Sequence, residues 1–173
     1  MLKGKRLKLT PLKKEYIDKF LGWLNDPEIT QYLMRFRPLT REMEEEWYNN
    51  LKSREDKIIF SILLNEDNQL IGNCGIEDLN WIDRTAICGV FIGDKEKQGK
   101  GYGTEALHLL VDYAFNTLNL NRIELLVYDF NDRAIRCYQK VGFIEEGRKR
   151  QAVFKNGKYY NVIFMSILRE EWK

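Results

Sequence analysis

The chain has 173 residues, 44% of them hydrophobic and 31% charged, with a formal net charge of +2. That length suits one compact domain spanning residues 1–173, and a charge so mild, with Lys and Arg dispersed, argues against a nucleic-acid surface. No apolar run approaches the roughly 20 residues of a membrane span, and the N-terminus lacks an apolar signal core, so a cytoplasmic protein away from membranes is expected.

The elements follow in chain order. Arg6–Leu9 is expected as a first strand. Lys14–Asn25 carries Tyr16, Ile17, Phe20, Leu21 and Leu24 as a helical stripe that stops before Asp26-Pro27. Thr40 is placed to cap a second helix with Met43, Trp47 and Leu51 at four-residue intervals. Glu42 and Glu44–Glu46 on that helix are most simply a solvated face. Ile58–Leu64 and Ile71–Leu79 are expected as strands joined by the turn Asn65–Asn68, followed by a strand Thr85–Ile92.

Thr104–Leu118 then places Leu107, Leu110, Val111, Ala114, Phe115 and Leu118 on one helical face, with His108 on the other. Arg122–Val127 is an apolar strand. Strand, helix and strand in that order predict a right-handed crossover between parallel strands. Asn131–Val141 is a short helix with Gly142 in the left-handed cap position. Lys155-Asn-Gly-Lys158 is a hairpin turn between Arg148–Phe154 and Tyr159–Leu168. The fold class is α/β, a mixed sheet of about seven strands with helices on its faces.

Cys74, Cys88 and Cys137 are far apart and form no C-x-x-C pair, and His108 is the only histidine, so neither a disulfide nor a zinc site is expected. The informative stretch is Gln98-Gly-Lys-Gly-Tyr-Gly-Thr104, between a strand and a helix. Alternating glycines let the backbone approach a ligand, and the N–H groups of the first helical turn point at the same space. A loose dinucleotide fingerprint, Gly101-x-Gly103-x-x-Ala106, competes with this, but Gly93–Gly99 separate it from its strand. The Gly-Lys-Ser/Thr ending of a mononucleotide P-loop is missing.

Gln98-x-x-Gly101-x-Gly103 resembles the pyrophosphate signature of the GNAT superfamily of acetyltransferases. Asn131-Asp-Arg-Ala134-Ile-Arg-Cys-Tyr138-Gln-Lys-Val-Gly142-Phe143 resembles its second signature. Gly4–Leu12 and the Asn156-Gly hairpin are similar to the branch holding ribosomal-protein N-terminal acetyltransferases and spermidine N-acetyltransferases.

The resemblance implies a sheet whose central parallel strands splay, acetyl-coenzyme A as cosubstrate without a metal, and transfer to a small-molecule or peptide amine. A homodimer is the assembly expected, without a sequence feature that fixes the oligomeric state. The resemblance also implies cofactor contacts from Phe91, Ile92 and Gly93, from Gln98, Gly99, Lys100, Gly101, Tyr102, Gly103 and Thr104, and from Asn131, Ala134 and Tyr138. Tyr138 would be the general acid.

The glutamate that relatives carry on the fourth strand is replaced by Ile87, which leaves Glu77 and Asp78 as candidate bases. Gln151 and Asn161 stand where relatives often have acids. Trp23, Tyr32, Phe36, Phe154, Tyr159 and Tyr160 are expected around the acceptor. Arg35 and Arg37 there would favour an anionic acceptor over a polyamine, which the Glu42–Glu46 cluster keeps open beside a peptide N-terminus, an amino acid, an amino sugar or an antibiotic amine. Cys88 is more simply a buried hydrophobe than a nucleophile. A module that binds acyl-coenzyme A without catalysis is the alternative function.

Overall fold

A computed structural model describes residues 1–173. Its eight strands form one sheet in the order β1-β2-β3-β4-β5-β6-β8-β7. They are β1 Leu2–Lys3, β2 Leu7–Pro11, β3 Ile58–Leu64, β4 Leu70–Asn80, β5 Thr85–Ile92, β6 Arg122–Tyr128, β7 Ile144–Lys155 and β8 Lys158–Leu168. The helices are α1 Ile17–Leu24, α2 Pro27–Thr30, α3 Arg41–Asn50, α4 Tyr102–Asn116 and α5 Asp132–Val141. The strand beyond the expected seven is β1, whose two residues pair with Leu9 and Lys8 and are too few to carry a period.

Local chemistry explains most boundaries. Thr40 Oγ1 accepts from Met43 N at 3.3 Å to start α3, and Asn131 Oδ1 accepts from Ala134 N at 3.3 Å to start α5. Asn156 and Gly157 both have positive φ, as a two-residue hairpin turn between β7 and β8 requires. The short α2 begins with Asp26 accepting from Glu28 N and with Pro27 in its first position.

The two faces of the sheet are covered differently. Leu107, Leu110, Val111, Ala114 and Phe115 of α4 are fully or almost fully buried against Leu9, Ile62, Ile76 and Ile123, and α5 adds Tyr138 and Val141 on that side. On the opposite face Phe20 of α1 packs with Leu63 and Leu70. Successive β3 residues, Ile62 and Leu63, thus serve opposite layers. The acidic face expected on α3 is not wholly solvated: Glu44 is only 6% exposed, and burial raises its carboxyl pKa while Arg35 acts in the opposite direction. The packing of α1 on α3 covers part of what a lone amphipathic helix would leave wet.

The crossover β5–α4–β6 is the feature that builds a site. Parallel pairing holds only Thr85–Arg122, Ala86–Ile123 and Ile87–Glu124. Beyond these pairs β5 continues with β4 and β6 with β8, so the two strands part at the middle of the sheet.

The end of the sheet is strapped across three strands. Arg122 on β6 donates to both oxygens of Glu146 on β7 at 2.7 and 2.5 Å, and Ser166 on β8 donates to the same carboxylate at 2.8 Å. The guanidinium first, and the hydroxyl after it, hold the Glu146 carboxyl down at about 2. A folded value below the unfolded value of about 4.3 contributes stability above about pH 4.3, lost as pH falls through about 2. Glu146→Gln is therefore expected to lower Tm at pH 7 and to melt with the unaltered chain near pH 2. The partial exposure of the carboxylate keeps the difference modest and sensitive to salt. Equal Tm values at pH 7 would show the strap to be energetically idle.

Candidate functional site

Where β5 and β6 part, a cleft of about 770 Å³ opens. One wall is β5 from Ile87 to Ile92, the other is the cleft face of α5, and the floor is the loop leading into α4. Gly101 sits at φ +84 as the residue before α4 and offers no side-chain cap, unlike Thr40 and Asn131 before α3 and α5. No backbone N–H from Gly99 to Thr104 pairs with a carbonyl of the chain. Six consecutive donors thus stand free at the positive end of a 15-residue helix, an arrangement made for an anion.

Of the residues expected in that loop, Gln98, Gly99, Gly101, Gly103 and Thr104 line the cleft. Lys100 and Tyr102 do not. The Lys100 carbonyl accepts from Arg6 Nη1 at 2.9 Å, and the Arg6 guanidinium lies 4.5 Å from the centre of the Tyr102 ring. Arg6 also donates to Glu105 from its backbone N and its Nε, each at 2.8 Å, so it braces the loop from outside.

On β5 the expectation shifts by one residue. Gly93 N donates to Ile71 O of the β4 side at 2.9 Å, and a Cβ there would lie 2.1 Å from the Trp23 ring. By the alternation of an antiparallel ladder the groups of Phe91 also turn towards β4, whereas those of Val90 and Ile92 turn to the open edge. The Ile92 carbonyl is taken by Gln98 Nε2 at 2.7 Å, leaving the Ile92 N–H and both groups of Val90 for a ligand.

Tyr138, Asn131 and Ala134 line the α5 side of the cleft. Tyr138 is 8% exposed, and burial pushes its phenol up, with smaller contributions from Cys88 and Cys137. Its hydroxyl therefore stays neutral and keeps a proton to give. Burial likewise raises the thiols of Cys74, Cys88 and Cys137, so none is a thiolate at neutral pH.

Glu77 also lines the cleft, and the register pairs it directly with Ile87. Directly opposed residues share a face of the sheet with Cβ atoms about 5 Å apart. A carboxylate thus stands one strand over from the position where Ile87 supplies none. Lys57 Nζ, 2.6 Å from Glu77 Oε2, fixes its place. Asp78 is exposed outside the cleft, at a positive-φ bulge. Asn161 spends its amide on Asp129 and on Gln151 N, so neither Gln151 nor Asn161 faces the cleft.

The acceptor wall is narrower than expected. Tyr32 lines the cleft together with Ile29 of α2 and with Leu33 and Met34 just after it, three residues that no sequence signal marks. Trp23 packs between Phe20 and Phe91 instead. Phe36, at 88% exposure, and Phe154 border a separate shallow hollow with Arg35. Neither Arg35 nor Arg37 reaches the cleft. The cations that do are Lys97, Arg133, Arg136 and Lys140, all beside the anion-ready loop or on α5, while Glu77 carries the one carboxylate of the lining.

Residues 6–144 match the family described as acetyltransferase (GNAT) domain. The chain is 33% identical over 172 residues to the uncharacterized N-acetyltransferase p20 of Bacillus licheniformis, covering 96% of this chain and 95% of that one. It is 31% identical over 131 residues to the spermidine N(1)-acetyltransferase of Vibrio cholerae, covering 76% and 74% of the two chains. The fold matches a crystal structure of spermidine N-acetyltransferase from Vibrio cholerae in complex with CoA and spermine with a TM-score of 0.91, at 29% identity, over 97% of this chain and 98% of that one.

Proposed function

The chain belongs to the GNAT acetyltransferase family, and from that premise we propose that it acetylates a primary amine of the polyamine class, using acetyl-coenzyme A as cosubstrate. The observation that carries this reading is the free run of N–H groups at Gly99–Thr104, opening on the cleft between the parted strands. Its position after β5 and the free donors of Gly99, Gly101, Gly103 and Thr104, the four that line the cleft, fit a pyrophosphate. Lys97, Arg136 and Lys140 supply the countercharge for such a group. The unpaired edge at Val90 and Ile92 fits an extended amide-bearing arm, which adds to a strand edge as a peptide does.

Acetyl-coenzyme A brings an activated thioester, and the rest falls to side chains. Tyr138 holds a proton at its hydroxyl for the departing sulfur. A free alkyl amine, with a pKa of about 10, is mostly protonated at pH 7 and must lose a proton before it attacks. Glu77 is the carboxylate on the cleft that takes it, directly or through a water.

The charge distribution supports a cationic acceptor. Basic side chains gather at the loop and α5, and the acid stands apart on β4. Arg35 and Arg37, the residues that argued against a polyamine, lie outside the cleft. The Vibrio cholerae relative and the Vibrio cholerae structure reported above both carry the name spermidine N-acetyltransferase, which supports the same class.

The direct experiment is thiol release from acetyl-coenzyme A across a panel of spermidine, spermine, N-terminal dipeptides, amino acids and amino sugars. Turnover is expected with spermidine or spermine. Coenzyme A binding without thiol release from any amine would leave a non-catalytic binding module. The proton step has its own expectation: kcat/KM should rise with pH following the amine's ionisation and should shift with acceptors of different pKa. Glu77→Gln should lower kcat/KM by about 10²-fold. A profile fixed near pH 7 for every acceptor, and untouched by Glu77→Gln, would assign the base elsewhere.

A further inference from the structure

One side chain joins the two sides of the parted strands. Gln98 belongs to the anion-ready loop, yet both ends of its amide are spent on the chain. Nε2 donates to the Ile92 carbonyl on β5 at 2.7 Å, and Oε1 accepts from Arg133 Nη1 on α5 at 2.8 Å. Arg133 continues the connection, with its guanidinium 5.6 Å from the centre of the Tyr32 ring. Tyr32 in turn lies 6.0 Å from Phe130, which packs 4.4 Å from Tyr160. Loop, α5 and aromatic wall are therefore linked in series over the cleft.

The guanidinium has no carboxylate within ion-pair distance, whereas Arg122 and Arg148 each hold one at 2.6 Å. It also stands in the first turn of α5, where the helix dipole disfavours a cation. Neither a salt bridge nor a favourable dipole explains an arginine at this position. The fork does explain it: Nη1 meets Gln98 while the guanidinium carbon lies over the Tyr32 ring, two contacts that a lysine would have to make with one nitrogen.

We propose that Arg133 is a positioning residue that couples occupancy of the Gln98–Thr104 loop to the placement of Tyr32, so that loading the cosubstrate sets the acceptor wall. The inference rests on the reading of that loop as the coenzyme A site. An empty loop leaves Gln98 held only by Ile92 and Arg133. A phosphate on the neighbouring N–H groups fixes the loop, and with it the guanidinium and the ring that lies beneath it. By linkage the dependence is reciprocal: loss of the Tyr32 ring weakens binding at the loop even though the ring belongs to the acceptor side.

A double-mutant cycle read by calorimetric titration of coenzyme A alone tests this, so the acceptor's identity does not enter. Arg133→Lys keeps the charge and removes the fork. Tyr32→Leu removes the ring, and Tyr32→Phe keeps it. Arg133→Lys and Tyr32→Leu are each expected to weaken coenzyme A binding roughly fivefold, and the double variant no more than either alone, since coupled residues are non-additive. Tyr32→Phe should bind as the unaltered chain does, because the cation–π contact needs the ring and not the hydroxyl. Losses that multiply to about 25-fold in the double variant would make the two residues independent and overturn the inference. So would single variants that bind like the unaltered chain. Thermal melts identify a Leu variant that fails to fold, and Tyr32→Ile then takes its place in the cycle. An unaltered chain that does not bind coenzyme A overturns the assignment of the loop and this inference together, whereas binding with additive losses overturns the inference alone.

Discussion

Replacing Tyr138 by Phe is expected to lower kcat by roughly 10²–10⁴-fold, the usual worth of a positioned general acid, with coenzyme A affinity little changed. The substitution removes one oxygen from a ring that packs 6.1 Å from Phe143 in the core, so the fold has no reason to change. Tyr138 lines the cleft from α5, and burial raises its phenol, which keeps the proton on the hydroxyl through the neutral range. A group in that state can give a proton to a departing thiolate and has no use as a base. The measurement is steady-state turnover with a burst-phase check that chemistry limits the rate. A loss of less than about threefold under those conditions would reduce Tyr138 to a packing residue.

The second large effect is expected on binding. Gly101→Val should weaken coenzyme A by roughly 10²-fold in a titration, with the chain still folded. Gly101 has φ +84, and a β-branched residue held there costs about 1–2 kcal/mol, against a usual stability of about 5–15 kcal/mol. The loop relieves that strain by rotating, and rotation turns its free N–H groups away from a common centre. Each hydrogen bond to a charged group is worth about 1.5–3 kcal/mol, so losing one or two accounts for the expected change. A Cβ at this position also comes within 3.3 Å of Arg6 Nη2, on the guanidinium whose Nη1 braces the Lys100 carbonyl, which adds to the displacement. Unchanged affinity in a variant with a native melting profile would remove the loop from the binding site.

Sequence alone determined what depends on neighbours in the chain. Ile58–Leu64 and Thr85–Ile92 are strands to the residue. The α4 stripe is legible because a 3.6-residue period needs only a dozen positions to declare itself. Caps at Thr40 and Asn131 and the Asn156-Gly157 turn are equally local, each set by one side chain or one pair of positive φ angles. The two signatures bring Gly101, Gly103, Asn131, Ala134 and Tyr138 to one cleft because the crossover connecting them is short and of one hand.

Where a short element or a distant partner decides, only the tertiary structure answered. The four residues of α2 are too few for a period, and its one signal, Asp26 before Pro27, served equally well as the stop for α1. Arg6 braces a loop more than ninety residues away, and no spacing along the chain announces that contact. Glu44 reads in the sequence as one of several solvated acids, yet the folded chain leaves it only 6% exposed. Strand register decided the rest. It turned Val90 instead of Phe91 to the open edge and set Glu77 opposite Ile87, because a shift of one residue in a ladder exchanges every group between its two sides.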